Sequence, residues 1–132
     1  MRTPDLEERH HASAVVAKMA LILCRLMLRG YTRKNKNIGS ILPELLVVCA
    51  IKINDDRNRP PLSANSIAKR VGMPRANVRR ALDQLVKAGV TKKVPGGYVN
   101  DDDYLRARKD AAYFKRIVLV ICAAASELKD YK

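Results

Sequence analysis

Arg75, Asn77, Arg79 and Arg80 stand close together on a 132-residue chain, with Ala76 among them. An arginine fork pairs with O6 and N7 of guanine, and an asparagine amide pairs with N6 and N7 of adenine. Both patterns are offered in the major groove of duplex DNA, which is wide enough to admit an α-helix. Arg75, Ala76, Asn77, Arg79 and Arg80 are therefore the expected groove-reading set. Their chemistry requires a helix that buries one face and turns this one outward.

The flanking sequence supplies such a helix. Pro74 suits a first helical turn, where its missing N–H is not needed. Val78, Ala81, Leu82, Leu85 and Val86 then form an apolar stripe, and Gly89 ends the segment. A shorter helix precedes it. Ser63 can cap Ala64–Val71, with Ile67, Ala68 and Val71 on one face. Gly72 stops it in the manner of a left-handed residue. After Gly89 the period changes. Val90-Thr91-Lys92-Lys93-Val94 alternates, Pro95-Gly96-Gly97 turns, and Tyr98-Val99-Asn100 returns. The order is helix, tight turn, helix, hairpin.

At these residues the chain resembles the winged helix-turn-helix family. The likeness runs from about Ile41 to Asn100. It rests on the spacing of Ala68, Gly72 and Val78, and on the wing-like run Lys93-Val94-Pro95-Gly96-Gly97-Tyr98. With long helices on either side, the layout is most similar to bacterial MarR-type transcriptional regulators. The resemblance implies a homodimeric, sequence-specific regulator on a palindromic operator, with helix 74–88 in the major groove and wing 90–100 on backbone or minor groove. It also implies a small-molecule effector, which the sequence does not identify. Such families often place Ser or Thr at the cap of the recognition helix, where it touches phosphate. Here Met73-Pro74 stands instead. The second reading is a winged-helix interaction module, or a plasmid or phage replication module, that regulates no promoter.

Charge supports a polyanion partner. The chain carries 26 Lys plus Arg against 13 Asp plus Glu, a net charge of +13. Residues 60–99 hold eight basic groups and one acid, Asp83, so the excess concentrates there. Ser63, Lys69, Lys87, Lys92, Lys93 and the linker cations Arg33, Lys34 and Lys36 are the expected backbone contacts, since each neutralised phosphate adds sequence-independent affinity. A single Asp cannot balance this set through pairs such as Arg79–Asp83 and Asp83–Lys87. Aromatics make up 5% of the chain, too few for a base-stacking platform.

The ends differ from the middle. A first helix is expected from Pro4 to Arg29, with Asp5, Glu7 and Glu8 at its positive end. A second is expected from Leu42 to Ile53, capped by Ser40. A single last helix is expected from Asp101 to Leu128, with Asn100 or Asp101 as cap. Ala14–Leu28 and Ile117–Ala125 are apolar on all sides, so these helices should bury each other and a second copy through 5–29 and 104–128. The expected organisation is a mainly α chain with a small β-hairpin wing. It has a dimerisation helix and linker at 1–40, the DNA-binding domain at 41–100 and a second dimerisation helix at 101–132.

Other chemistry finds little purchase. His10 and His11 are adjacent, so they point to different faces of a helix and make a poor metal pair. No Gly-rich phosphate loop or nucleophile motif is present. Asp101-Asp102-Asp103 reads as a helix N-terminus. Cys24, Cys49 and Cys122 are far apart in apolar runs and read as small core residues in a reducing cytoplasm, with a thiol redox sensor as the alternative. The 15-residue run Ala14–Leu28 contains Lys18 and Arg25 and is short for a bilayer span. The expectation is a cytoplasmic DNA-binding protein with no cofactor, no metal, no membrane and no enzymatic activity.

Overall fold

The computed structural model describes residues 3–30, 38–109 and 112–131. Its elements are α1 (Leu6–Gly30), α2 (Ile38–Asp56), α3 (Ala64–Val71), α4 (Arg75–Lys87), β1 (Thr91–Val94), β2 (Gly97–Asn100), α5 (Asp102–Lys109) and α6 (Ala112–Leu128). It is a mainly helical winged helix. Two compact units form, one from Met1–Thr32 with Arg108–Lys132 and one from Arg33–Ala107.

In the unit Arg33–Ala107, α2, α3 and α4 enclose one core. Val47, Ile51, Ile67, Val78, Leu82 and Leu85 are fully buried in it, with Leu62 and Val90 beside them. Each large side chain removed from water contributes about 1.5–3 kcal/mol. Local signals start and stop the short helices as their spacing predicts. The Ser66 backbone N–H donates to Ser63 Oγ at 3.2 Å, capping α3. Gly72 closes it at φ 72°, where its N–H donates to the Ala68 carbonyl at 3.0 Å. β1 and β2 pair antiparallel, with Thr91 opposite Asn100 and Val94 opposite Gly97. Leu62 forms a bridge to Tyr98 and so adds a third backbone segment to the hairpin.

Several expectations are corrected. α2 starts at Ile38, not Leu42, so Ser40 and Pro43 lie inside its first turns and Ser40 is not its cap. Burial explains the extra turn, because Ile41 and Glu44 both pack inward. Val86 does not belong to the buried stripe of α4 and is exposed. The core covers a narrower arc than five apolar positions span, and Val86 falls on the flank of Arg75 and Arg79. The expected single C-terminal helix is two elements, α5 and α6. Tyr104 of α5 packs on the core of the winged unit, whereas α6 packs on α1. The two segments thus serve different cores.

In the other unit, α1 and α6 run antiparallel along each other. Val15 and Leu26 of α1 and Ile117 and Ala124 of α6 are buried. α1 begins at Leu6 rather than Pro4. Asp5 and Glu8 make a reciprocal cap, each backbone N–H donating to the other's carboxylate, at 2.8 and 3.1 Å. By length and composition alone Leu6–Arg29 is apolar enough to cross a bilayer, a longer stretch than the Ala14–Leu28 run. Cys49 and Cys122 are exposed, not core residues, and Cys24 is half-buried. Cys49 nonetheless lies against Leu46, Ile53 and Val71, and this apolar setting pushes its thiol pKa up. A reactive thiolate needs the opposite shift.

The wing turn tests the close approach of its glycines. A Cβ on Gly97 would overlap the Leu62 carbonyl, whereas one on Gly96 meets open space. Gly96→Ala should cost about 1–2 kcal/mol for its positive φ. Gly97→Ala should cost roughly 1–3 kcal/mol more, because the Leu62–Tyr98 pairing must open. Urea midpoints of the two variants measure this, and equal shifts would rule out the close approach.

Candidate nucleic-acid interface

α4 carries its polar residues where the sequence spacing put them. Val78, Ala81, Leu82 and Leu85 are buried, while Arg75, Ala76, Asn77, Arg79, Arg80, Asp83 and Lys87 are exposed. The helical repeat sets Ala76, Arg80, Asp83 and Lys87 directly opposite the core. Arg75 and Arg79 lie on one flank and Asn77 on the other. On the Asn77 flank, Asn77 and Arg80 share a cleft of about 420 Å³ with Ser40, Glu44 and Gln84. Glu44 is almost fully buried beside them. A glutamate beside Pro43 near a helix start fits solvent equally well, so its residue type carries no signal of that burial. Asp83 forms no ion pair with Arg79 or Lys87 among the described residues. The arginine forks of α4 are therefore not spent on it.

The N-terminus of α4 is open. Pro74 occupies the cap position at φ −58° and ψ 143°, and no side chain caps the helix. Its carbonyl accepts the Asn77 and Val78 N–H groups at 3.0 and 3.2 Å. The N–H groups of Arg75 and Ala76 precede those bonds. The positive helix end and these donors suit a phosphate. Thus Met73-Pro74 removes the Ser or Thr hydroxyl expected of the resemblance, but leaves the backbone end bare.

The expected backbone contacts divide. Lys69, Lys87 and Lys93 are exposed. Ser63 is exposed, but its hydroxyl already works within the fold: it accepts the Ser66 N–H and donates to Ser66 Oγ at 3.1 Å. Lys92 is held at the wing base, its Nζ 3.3 Å from Asp101 Oδ2. Arg33, Lys34 and Lys36 lie outside the described residues. Asp101 also caps α5, taking the Tyr104 N–H at 2.8 Å. That bond, with a smaller part from Lys92, holds the Asp101 carboxyl below its usual range. A lowered carboxyl pKa stabilises the fold above the unfolded value, and that contribution is lost as pH falls through the folded value. Acid therefore loosens both the α5 cap and the grip on Lys92. His10 and His11 are exposed, and no cluster of metal-binding side chains occurs among the described residues.

Residues 56–95 match the family model of the IclR helix-turn-helix domain. The match takes in α3, α4 and β1, the same segment that carries the exposed arginines. No curated protein and no solved structure matches the chain. The match supports a winged helix-turn-helix module, with DNA as partner, in a transcription regulator rather than an enzyme. The matched model is of the IclR type, and nothing in the match supports the MarR type in particular.

Because Asp101 already occupies Lys92, the two wing lysines should contribute unequally. Lys93→Ala should lower the slope of log affinity for duplex DNA against log salt by about 1. Lys92→Ala should lower it by less. Asp101→Asn should free Lys92 and bring its effect up to that of Lys93. Titrations with labelled duplex at several salt concentrations read these slopes.

Proposed function

We propose that this protein is a homodimeric, sequence-specific transcription regulator. α4 enters the major groove with Arg75, Ala76, Asn77, Arg79 and Arg80, and the β1–β2 wing meets the backbone or minor groove. The observation that carries this reading is the outward face of α4. It pairs unspent arginine forks with an uncapped helix N-terminus on a rigidly packed helix. Lys69, Lys87 and Lys93 add phosphate contacts around it, with Arg33, Lys34 and Lys36 as further candidates on the linker. Ser63 contributes little, because its one donor is engaged.

The dimer rests on a different feature. α1 and α6 bury each other on one side, yet Val16, Phe114, Val118 and Ile121 remain exposed. Helical spacing sets Phe114, Val118 and Ile121 on a single flank of α6, with Val16 on the adjoining flank of α1. An apolar surface of this kind is self-complementary across a twofold axis. Two copies then present two α4 helices to half-sites about one helical turn apart. The finer likeness to MarR-type regulators has only these terminal helices in its favour, and they lie outside the matched segment.

Selection from a pool of random duplexes should enrich a palindromic sequence. Enrichment of none would favour the interaction-module reading. Arg79→Ala and Arg80→Ala should each lose about 1–3 kcal/mol of affinity and relax the selected sequence at one position per half-site. Losses uniform across sequences would reduce these residues to phosphate contacts.

Sedimentation equilibrium at micromolar concentration should give a dimer. Ile121→Glu should convert it to a monomer that keeps its helix content. A wild-type monomer would overturn the dimer and leave the DNA-reading face as it stands.

A further inference from the structure

The groove between α1 and α6 contains two cavities that meet. The longer, about 310 Å³, is walled by apolar side chains including Val15, Met19, Ile22, Val120 and Ala123, with Lys18 and Glu127 also lining it. The shorter, about 190 Å³, is open to solvent and lined by the exposed Arg25, Arg29 and Arg116 with Ile22 and Leu26. Ile22 and Arg116 line both, so the cavities are successive parts of one trough. One part is oily, and the other gathers three guanidinium groups.

The charges identify what fits. Arg25, Arg29 and Arg116 form no ion pair among the described residues. Three like charges around one small pocket repel, and an anion between them would relieve that repulsion. Guanidinium forks bind a carboxylate through paired hydrogen bonds, which a point charge cannot imitate. Lys18 and Glu127 offset one another in the long cavity, so they add no net charge there. The apolar stretch from Ile22 back to Val15 spans about 10 Å at the helical rise. That is the reach of a medium-length acyl chain, and the longer cavity lies within the size range of small-molecule sites, about 300–1,000 Å³.

We propose that this groove binds a free medium-chain carboxylate. The head group sits among Arg25, Arg29 and Arg116, and the chain runs past Ile22 toward Val15. The trough opens on the flank of the helix pair opposite Val118 and Ile121, so a bound carboxylate leaves the apolar flank assigned to the second copy uncovered. The site depends on α1 and α6 alone and not on DNA recognition.

Titration calorimetry on the full chain without DNA tests it. Decanoate below its micellar concentration should bind saturably, and decylamine, with the same chain and the opposite charge, should not. Arg116→Gln should weaken decanoate by about tenfold or more. Arg25→Gln should do the same, and since both arginines are exposed neither change should disturb the helix pair. Ala123→Trp should fill the trough and abolish binding, with circular dichroism confirming that the helices persist. Equal binding of decylamine would overturn the proposal, as would full decanoate affinity in both arginine variants. So would capture by phosphatidylglycerol vesicles with no binding of free decanoate, which would make the surface a membrane contact. Failure here leaves the DNA selection result untouched, and failure of that selection leaves this binding measurable.

Discussion

Asn100, at the base of the wing, makes three hydrogen bonds that join otherwise separate parts of the DNA-binding unit. Its backbone N–H donates to Asp55 Oδ2 at 3.0 Å, and its side-chain amide donates to the Val48 carbonyl at 3.1 Å. Its Oδ1 accepts the Thr91 hydroxyl at 3.0 Å. Asn100 and Thr91 are both almost fully buried. A buried polar group left without a partner costs about 1–3 kcal/mol, so the alternatives to this arrangement are expensive. The hairpin can take one position relative to α2 and keep all three bonds. Asn54 extends the same logic to the next segment, donating to the Pro60 carbonyl at 2.9 Å and fixing the chain before α3.

α2 is thus the reference from which both DNA-facing parts are set. It packs on α4 through Val47 and Ile51, and it holds β2 through Val48 and Asp55. Leu82 and Leu85 of α4 close the core from the other side, which fixes the rotation of α4 about its axis. That rotation decides which arginines point outward. A two-stranded hairpin is marginal alone. Here the Leu62 bridge and the Asn100 bonds supply the support that its own short ladder lacks.

The sequence made the local features legible and hid the long-range ones. Ser63, Gly72 and the α4 stripe act within four residues of themselves, so spacing alone identifies them. The Asp55–Asn100 bond joins residues 45 apart, and no periodicity reports such a partner. Asn100 and Asp101 both read as candidate helix caps, and Asp101 fills that role, which leaves Asn100 to its distant partners. Lys92 read as a free wing cation for the same reason, since its pairing depends on where Asp101 ends up. Val86 and the start of α2 were misplaced because composition tells how much apolar surface exists, but not how wide an arc the core covers. Cys49 and Cys122 likewise sit in apolar runs and still face outward.

The terminal helices sharpen that last point. Apolar residues all round a helix imply cover on several sides without saying what supplies it. Between α1 and α6 the apolar surface divides into three parts with different neighbours. Val15, Leu26, Ile117 and Ala124 are buried in the pair itself. Val16, Phe114, Val118 and Ile121 form the flank assigned to a second copy. Met19, Ile22 and Val120 line the trough that ends at Arg25, Arg29 and Arg116. The arginines interrupt the apolar run at one end of one flank, where a purely structural helix pair would gain from more leucine. A site that needs an oily wall and a cationic end accounts for both the excess of apolar residues and the place where it stops.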